Sequence, residues 1–175
     1  MTLNEVIRDT AGNLERITLN HRFALASALA TTLLDFHKAS LVHKSISSHN
    51  IIFFSRHGPC IDDPYLIGFN YSRPNQPKAF TTGPPPSLTA RKYYHPSYTS
   101  EASRRGERFR LDYDYYGLGL VLVEIGLWDR LENFKGNSPT ELKNRLLKTQ
   151  VPLLGHTVGQ SYRKAVEACL MGPFG

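Results

Sequence analysis

Apolar positions recur at helical spacing early in the chain. Phe23, Ala26, Ala30, Leu33 and His37 fall three or four apart, and Leu25, Leu29 and Phe36 widen the stripe. Asn20 stands where an N-cap is needed, so the pattern predicts a core helix over about 21–38. Two short apolar runs rich in β formers follow, Ile51–Phe54 and Tyr65–Phe69, separated by the turn-rich stretch SRHGPCIDDP. They predict a small hairpin with a long loop. Residues 70–97 carry Pro74, Pro77, Pro84, Pro85, Pro86 and Pro96 and show no period, which predicts irregular chain. Asp114 to Trp128 is apolar nearly all round, the mark of a helix buried on every side. Ser138-Pro139-Thr140-Glu141 reads as a capping box that opens a helix from Pro139 to about Lys148. Tyr162, Ala165, Val166 and Cys169 outline a last helix, with Gly172 as its stop. No internal repeat is visible. The expected fold is mostly α with one small β-hairpin, spanning residues 21–175 behind a lead-in of residues 1–20. A pure α bundle is the rival, but it leaves the hairpin without a role.

Composition narrows the classes. A chain of 175 residues is long enough to bury a core, and 41% hydrophobic with 21% charged residues is the make-up of a soluble globular protein. The net charge of +6 is mild. Its densest basic stretch, Arg104, Arg105, Arg108 and Arg110, is mixed with Glu101 and Glu107 and reads as a solvated loop. Charge alone speaks for a nucleic-acid partner, so none is expected. Cys60 and Cys169 make neither a disulfide framework nor a zinc spacing, which points to a reducing, cytoplasmic setting. The N-terminal stretch lacks the apolar centre of a signal peptide. The longest apolar run, Gly117 to Trp128, is interrupted by Glu124 and is too short to span a bilayer, so no membrane partner is expected.

Candidate chemistry centres on HKSISSHN, residues 43–50. The stretch resembles the protein-kinase catalytic loop His-Arg-Asp-x-x-x-x-Asn. LIGFN at 66–70 lies where the magnesium-binding Asp-Phe-Gly belongs, and KYYHPSY at 92–98 lies where the activation segment ends in Ala-Pro-Glu. DYYGLGLVLVEIGLW at 114–128 resembles the central helix that opens Asp-x-Tyr-Ser-x-Gly. A narrower resemblance is to the kinase-like domains of filamentous-fungal proteins that accompany prion-inhibition (HeLo-type) regions. There a VHK loop, NIxFF, GFxxSRP, YxHPxY and YxLGLVLxEIGLW occur in this order. The likeness runs from about Arg22 to Leu170 and implies a kinase-like large (C-terminal) lobe.

The resemblance also implies what is missing. Ser45 occupies the place of the catalytic Asp, a general base worth about 10²–10⁴-fold, and Ser47 the place of a phosphate-binding Lys. Asn50 matches the second metal ligand but is neutral. Gly68 stands where the main metal-binding Asp belongs, Phe69 keeps the aromatic and reads as a core side chain, and Asn70 replaces the final Gly. Asp62 and Asp63 are conceivable substitutes but sit at the wrong end of the second strand. His43 reads as a packing residue beneath the loop. Lys44 replaces an Arg that reads an activation-segment phosphate and lacks its bidentate fork, so gating through Thr81, Thr82, Ser87 or Thr89 has poor support. Ser97 removes the Glu of a family ion pair, while His95-Pro96 should remain a turn. Asp114 is expected to accept hydrogen bonds from the loop backbone, to cap its own helix, or both.

Only 21 residues precede Arg22, and Gly12 is the only glycine among them, so a small lobe with a Gly-rich phosphate lid does not fit. ATP and magnesium, the cofactors of the kinase family, are expected to be lost. The chain is expected to be part of a longer product or a lobe encoded apart from its partner lobe. The functional expectation is a degenerate, pseudokinase-like interaction or scaffold module whose partner is a protein or the missing small lobe. The alternative is a protein kinase that works through substitute residues once a small lobe is supplied. A simple nucleic-acid-binding helical domain, a third class, would rest on charge alone.

Overall fold

The first helix forms where no element is expected. In the computed structural model, which describes residues 1–12, 17–54, 61, 63–76, 91–98 and 109–172, helix α1 covers Leu3–Thr10. Thr2 caps it: the Glu5 N–H donates to Thr2 Oγ1 and the Thr2 N–H donates to Glu5 Oε2. Leu3, Val6 and Ile7 are wholly buried, so the expected lead-in supplies core side chains. The Met1 ammonium and carbonyl pair with the Phe53 carbonyl and N–H.

Helix α2 (Leu19–Lys38) is capped by Thr18 rather than Asn20, with the Thr18 side chain accepting from the His21 N–H. Its buried stripe is Arg22, Leu25, Ala26, Leu29, Leu33 and His37. Phe23 and Ala30 were placed in that stripe by the pattern, but both face solvent, off the axis that Leu25, Leu29 and Leu33 define.

Two short antiparallel ladders follow. Strands β2 (Ile51–Ile52) and β3 (Tyr65–Leu66) form the expected hairpin, with Ile51 opposite Leu66. Strand β1 (Leu41–Val42) pairs with β4 (Arg73–Pro74), so the segment expected to be irregular from residue 70 carries a short strand after the turn Phe69–Tyr71. Pro74 fits because it sits on an edge, where no ladder donor is required. Cys60, Asp62, Thr81, Thr82, Ser87, Thr89, Glu101, Arg104, Arg105, Glu107 and Arg108 lie outside the described residues.

Helix α3 (Leu111–Leu127) is the centre of the fold, buried along most of its length as its all-round apolar sequence requires. Each fully buried Leu, Ile or Val on it contributes on the order of 1.5–3 kcal/mol. It starts at Leu111, so Asp114 lies a turn inside the helix and does not cap it. Helix α4 (Pro139–Arg145) is capped by Ser138, but Glu141 Oε2 accepts from the Asn137 N–H, so the box is only half formed. The helix does not stop near Lys148. A π turn at Leu146–Gln150 carries it into α5 (Val151–Thr157), and the wider turn accommodates Pro152 without a helix break. Helix α6 (Gln160–Met171) ends before Gly172. Val166 and Leu170 are its buried positions and Ala165 is exposed, contrary to the expected stripe. Helices α2, α5 and α6 all lie against α3. No helix among the described residues is long and apolar enough to cross a membrane.

Candidate functional site

The loop 43–50 joins β1 to β2 and rests on α3. Asp114, buried to 1% exposure, accepts the His43 N–H on Oδ2 at 2.7 Å and the Lys44 N–H on Oδ1 at 2.8 Å. His37 Nε2 lies 3.2 Å from the same Oδ2. One turn further along α3, a Cβ on Gly117 would meet Ile46 at 3.0 Å, so the loop backbone lies against bare helix there. The chain reverses at Lys44, whose φ of +72° is unfavourable for a side chain and is held by the bond to Asp114. The Lys44 ammonium lies 5.7 Å above the Phe109 ring.

The other loop positions turn inward. His43 is wholly buried with its ring edge against Phe36 and Phe69. Its Nδ1 accepts from the Ser45 N–H at 3.2 Å. Burial lowers the His43 pKa, against the pull of Asp114. Asn50 Nδ2 donates to both the carbonyl and the hydroxyl oxygen of Ser45, each at 2.7 Å. Ser47 is buried and precedes the tight turn Ser48–Asn50.

The second strand delivers Gly68 beside Asn50. Gly68 has φ +92°, and a Cβ there would stand 2.9 Å from Asn50 Nδ2. The position therefore requires glycine twice over, by conformation and by space. Phe69 is not the core aromatic expected. It is 47% exposed, touching Phe36 and His43 with one edge. Asn70 is exposed, and so is Asp63, on the far side of β3 from Gly68.

Loop, Asp114 and the segment 91–98 enclose a cleft of about 190 Å³, lined by Lys44, Ser45, Ser47, Asn50, Tyr94 and His95 among others. His95 opens the short turn Pro96–Tyr98, as expected, and stacks on Tyr113 at 4.7 Å. Burial lowers its pKa to about 4, so its imidazole is neutral at pH 7. The cleft is thus lined by hydroxyls, an amide, the imidazoles of His49 and His95 and the Lys44 side chain, while its carboxylate, Asp114, is engaged by the His43 and Lys44 N–H groups and by His37. Among the described residues no group of three or more His, Cys, Asp and Glu could hold a metal ion. The positions that the resemblance assigns to magnesium do not fit the ion: a carboxylate at 68 would displace the Asn50 amide.

The family described as Domain of unknown function (DUF7580) matches residues 1–172. The chain belongs to that family. No curated protein matches it. The match begins at α1, upstream of Arg22 where the sequence likeness starts, so the family unit includes the capped helix that the pattern left unassigned.

Ser48, His49, Tyr93 and Glu132 escape a reading of motifs. Ser48 and Tyr93 converge on the buried Glu124, and His49 pairs with Glu132 at 2.9 Å. Glu124 carries a signal of its own, as the single charge inside an apolar run. Glu132 lies 83 residues from His49 and nothing local announces the pair.

Proposed function

We propose that this chain is a kinase-like large lobe that has lost phosphoryl-transfer chemistry and works as a non-catalytic interaction module. The observation that carries the reading is the inward engagement of the loop. Ser45 and Asn50 bond to each other within the loop, and Gly68 leaves no room for a metal-binding carboxylate. An active loop needs the reverse, with carboxylate oxygens aimed into the cleft. The order of elements, from α2 through the loop, the hairpin and the 91–98 turn to the buried α3, matches the order that the resemblance implies.

The partner is a protein surface, either the small lobe of the same architecture or its replacement. Phe54 at 75% exposure, Tyr65 at 51%, Phe69 at 47% and Ile67 form an apolar face on the hairpin side. A patch of this kind marks a contact surface.

The test is phosphotransfer and nucleotide binding. Purified chain with ATP and magnesium or manganese should phosphorylate neither itself nor a generic substrate, and ATP should not raise the melting temperature. A ligand in hundredfold excess over its Kd stabilises by about 2.7 kcal/mol, so binding would be plain. Turnover that Asn50→Ala abolishes, or a saturable thermal shift below millimolar ATP, would overturn the reading.

A further inference from the structure

Glu124 is wholly buried on α3, and two hydroxyls and a backbone N–H meet around it. Ser48 Oγ lies 3.0 Å from Oε1, Tyr93 OH lies 2.9 Å from Oε2, and Ser48 Oγ lies 2.8 Å from Tyr93 OH. The Leu131 N–H donates to Oε1 at 2.9 Å. The three oxygen–oxygen contacts close a ring, and each needs a proton between its oxygens. Ser48 and Tyr93 supply one proton each. With Glu124 ionised, both hydroxyls would turn to the carboxylate, and their oxygens would face each other at 2.8 Å with no proton between them. A third proton, on Glu124, completes the circuit. Its Oε2–H donates to Tyr93, Tyr93 donates to Ser48, and Ser48 donates to Oε1, which also takes the Leu131 N–H.

We infer that Glu124 is held as an un-ionised carboxylic acid in a three-proton ring with Ser48 and Tyr93, and that this ring is a proton-dependent clasp on the wall of the cleft. The ring ties the Ser48–Asn50 turn to the 91–98 segment across α3, and both segments contribute residues to the cleft lining, His49 and Asn50 from the first and Tyr93, Tyr94 and His95 from the second. Loss of the third proton leaves one contact repulsive and separates the two segments. The inference stands whether or not the lobe has lost its chemistry.

The surroundings agree. The titratable groups that face Glu124 are Tyr93, His49 and Glu132; the Lys92 ammonium binds the Glu132 carbonyl oxygen instead. Burial, opposed by the three donors, pushes the Glu124 pKa up to about 8. Burial also raises that of Tyr93, so its hydroxyl keeps its proton over the same range.

The experiment is infrared spectroscopy of the intact chain beside its Glu124→Gln variant. Wild type should show the carbonyl stretch of an un-ionised carboxylic acid at neutral pH, fading as pH passes about 8, and the variant should lack it. The glutamine amide donates to Tyr93 and accepts from Ser48 at any pH. Between about pH 5 and pH 8, wild type should therefore lose roughly tenfold in folding constant per pH unit relative to the variant. The difference isolates Glu124 from the His49–Glu132 pair, which both proteins keep. Should the variant fail to fold, Tyr93→Phe removes the acceptor of the acid proton and should shift the band. A wild type with no such band at neutral pH, or a wild-type-to-variant ratio flat across that window, overturns the inference.

Discussion

Gly68 and Asn50 exclude each other's freedom: a Cβ on the first would stand 2.9 Å from the amide nitrogen of the second. Restoring the kinase-type carboxylate by Gly68→Asp should therefore destabilise the fold. The left-handed backbone alone disfavours any side chain by on the order of 1–3 kcal/mol, and Asn50 would have to release Ser45. Urea melts with and without magnesium check this. A variant as stable as wild type that magnesium stabilises further would contradict it.

Asp114→Ala and Ser45→Ala should differ sharply. The first leaves the buried N–H groups of His43 and Lys44 without their acceptor, at about 1–3 kcal/mol for each orphaned donor. The second removes one of the two acceptors of Asn50 Nδ2 and keeps the carbonyl, so it should cost no more than about 1 kcal/mol. Denaturant midpoints of the two variants decide. Equal losses would mean that Asp114 does not hold the loop.

The face of Phe54 and Tyr65 should govern behaviour in solution. The two rings meet edge to face at 5.1 Å and stand out from the hairpin. The isolated chain should bind a hydrophobic dye and elute above monomer size at high concentration. Phe54→Ser with Tyr65→Ser should weaken both, with an unchanged far-ultraviolet circular dichroism spectrum. A monodisperse wild type that ignores the dye would remove the basis for a partner on this face.

The pair of His49 and Glu132 gives stability a dependence on acid. The His49 hydrogen bond, ahead of the opposing burial, lowers the Glu132 pKa to about 2, and the same bond raises that of His49. A depressed carboxyl stabilises above its unfolded value, and that stability is lost as pH falls from about 4.5 towards 2. A raised histidine stabilises below its unfolded value, and that stability is lost as pH rises from about 6.5 through the raised value. The pair should help most between these limits. Glu132→Gln should flatten the acid limb of a plot of melting temperature against pH, and an unchanged limb would assign the acid sensitivity elsewhere.

Periodicity made α2, α3 and α6 legible because each carries a stripe or a nearly all-apolar run set by burial. The β2–β3 hairpin was equally open, from two runs of β formers around a turn-rich stretch. Helix α1 was not, because its three core side chains lie among polar residues and only its capping box marks it. The β1–β4 ladder escaped notice since two-residue strands have no period to read. Phe69 was misread because aromatic character says nothing of which side of a turn faces solvent. At the site, the role of Asp114 towards the loop was legible only through the resemblance to the kinase central helix, which implies such an acceptor. The three-oxygen meeting at Glu124 was not legible, since Ser48, Tyr93 and Glu124 come from segments 45 and 31 residues apart.

Helix α3 touches the loop, α2, α5 and α6, and it has scarcely any surface of its own. Opening of any one neighbour would wet its apolar side chains, so the neighbours are not free to open singly. Amide hydrogens of Leu118 to Ile125 should then exchange only through global unfolding, and those of the exposed side of α2 well before them. The cleft wall inherits this rigidity on its α3 side and depends on its hydrogen bonds on the other. Whatever enters the cleft meets one fixed wall and one that can be persuaded.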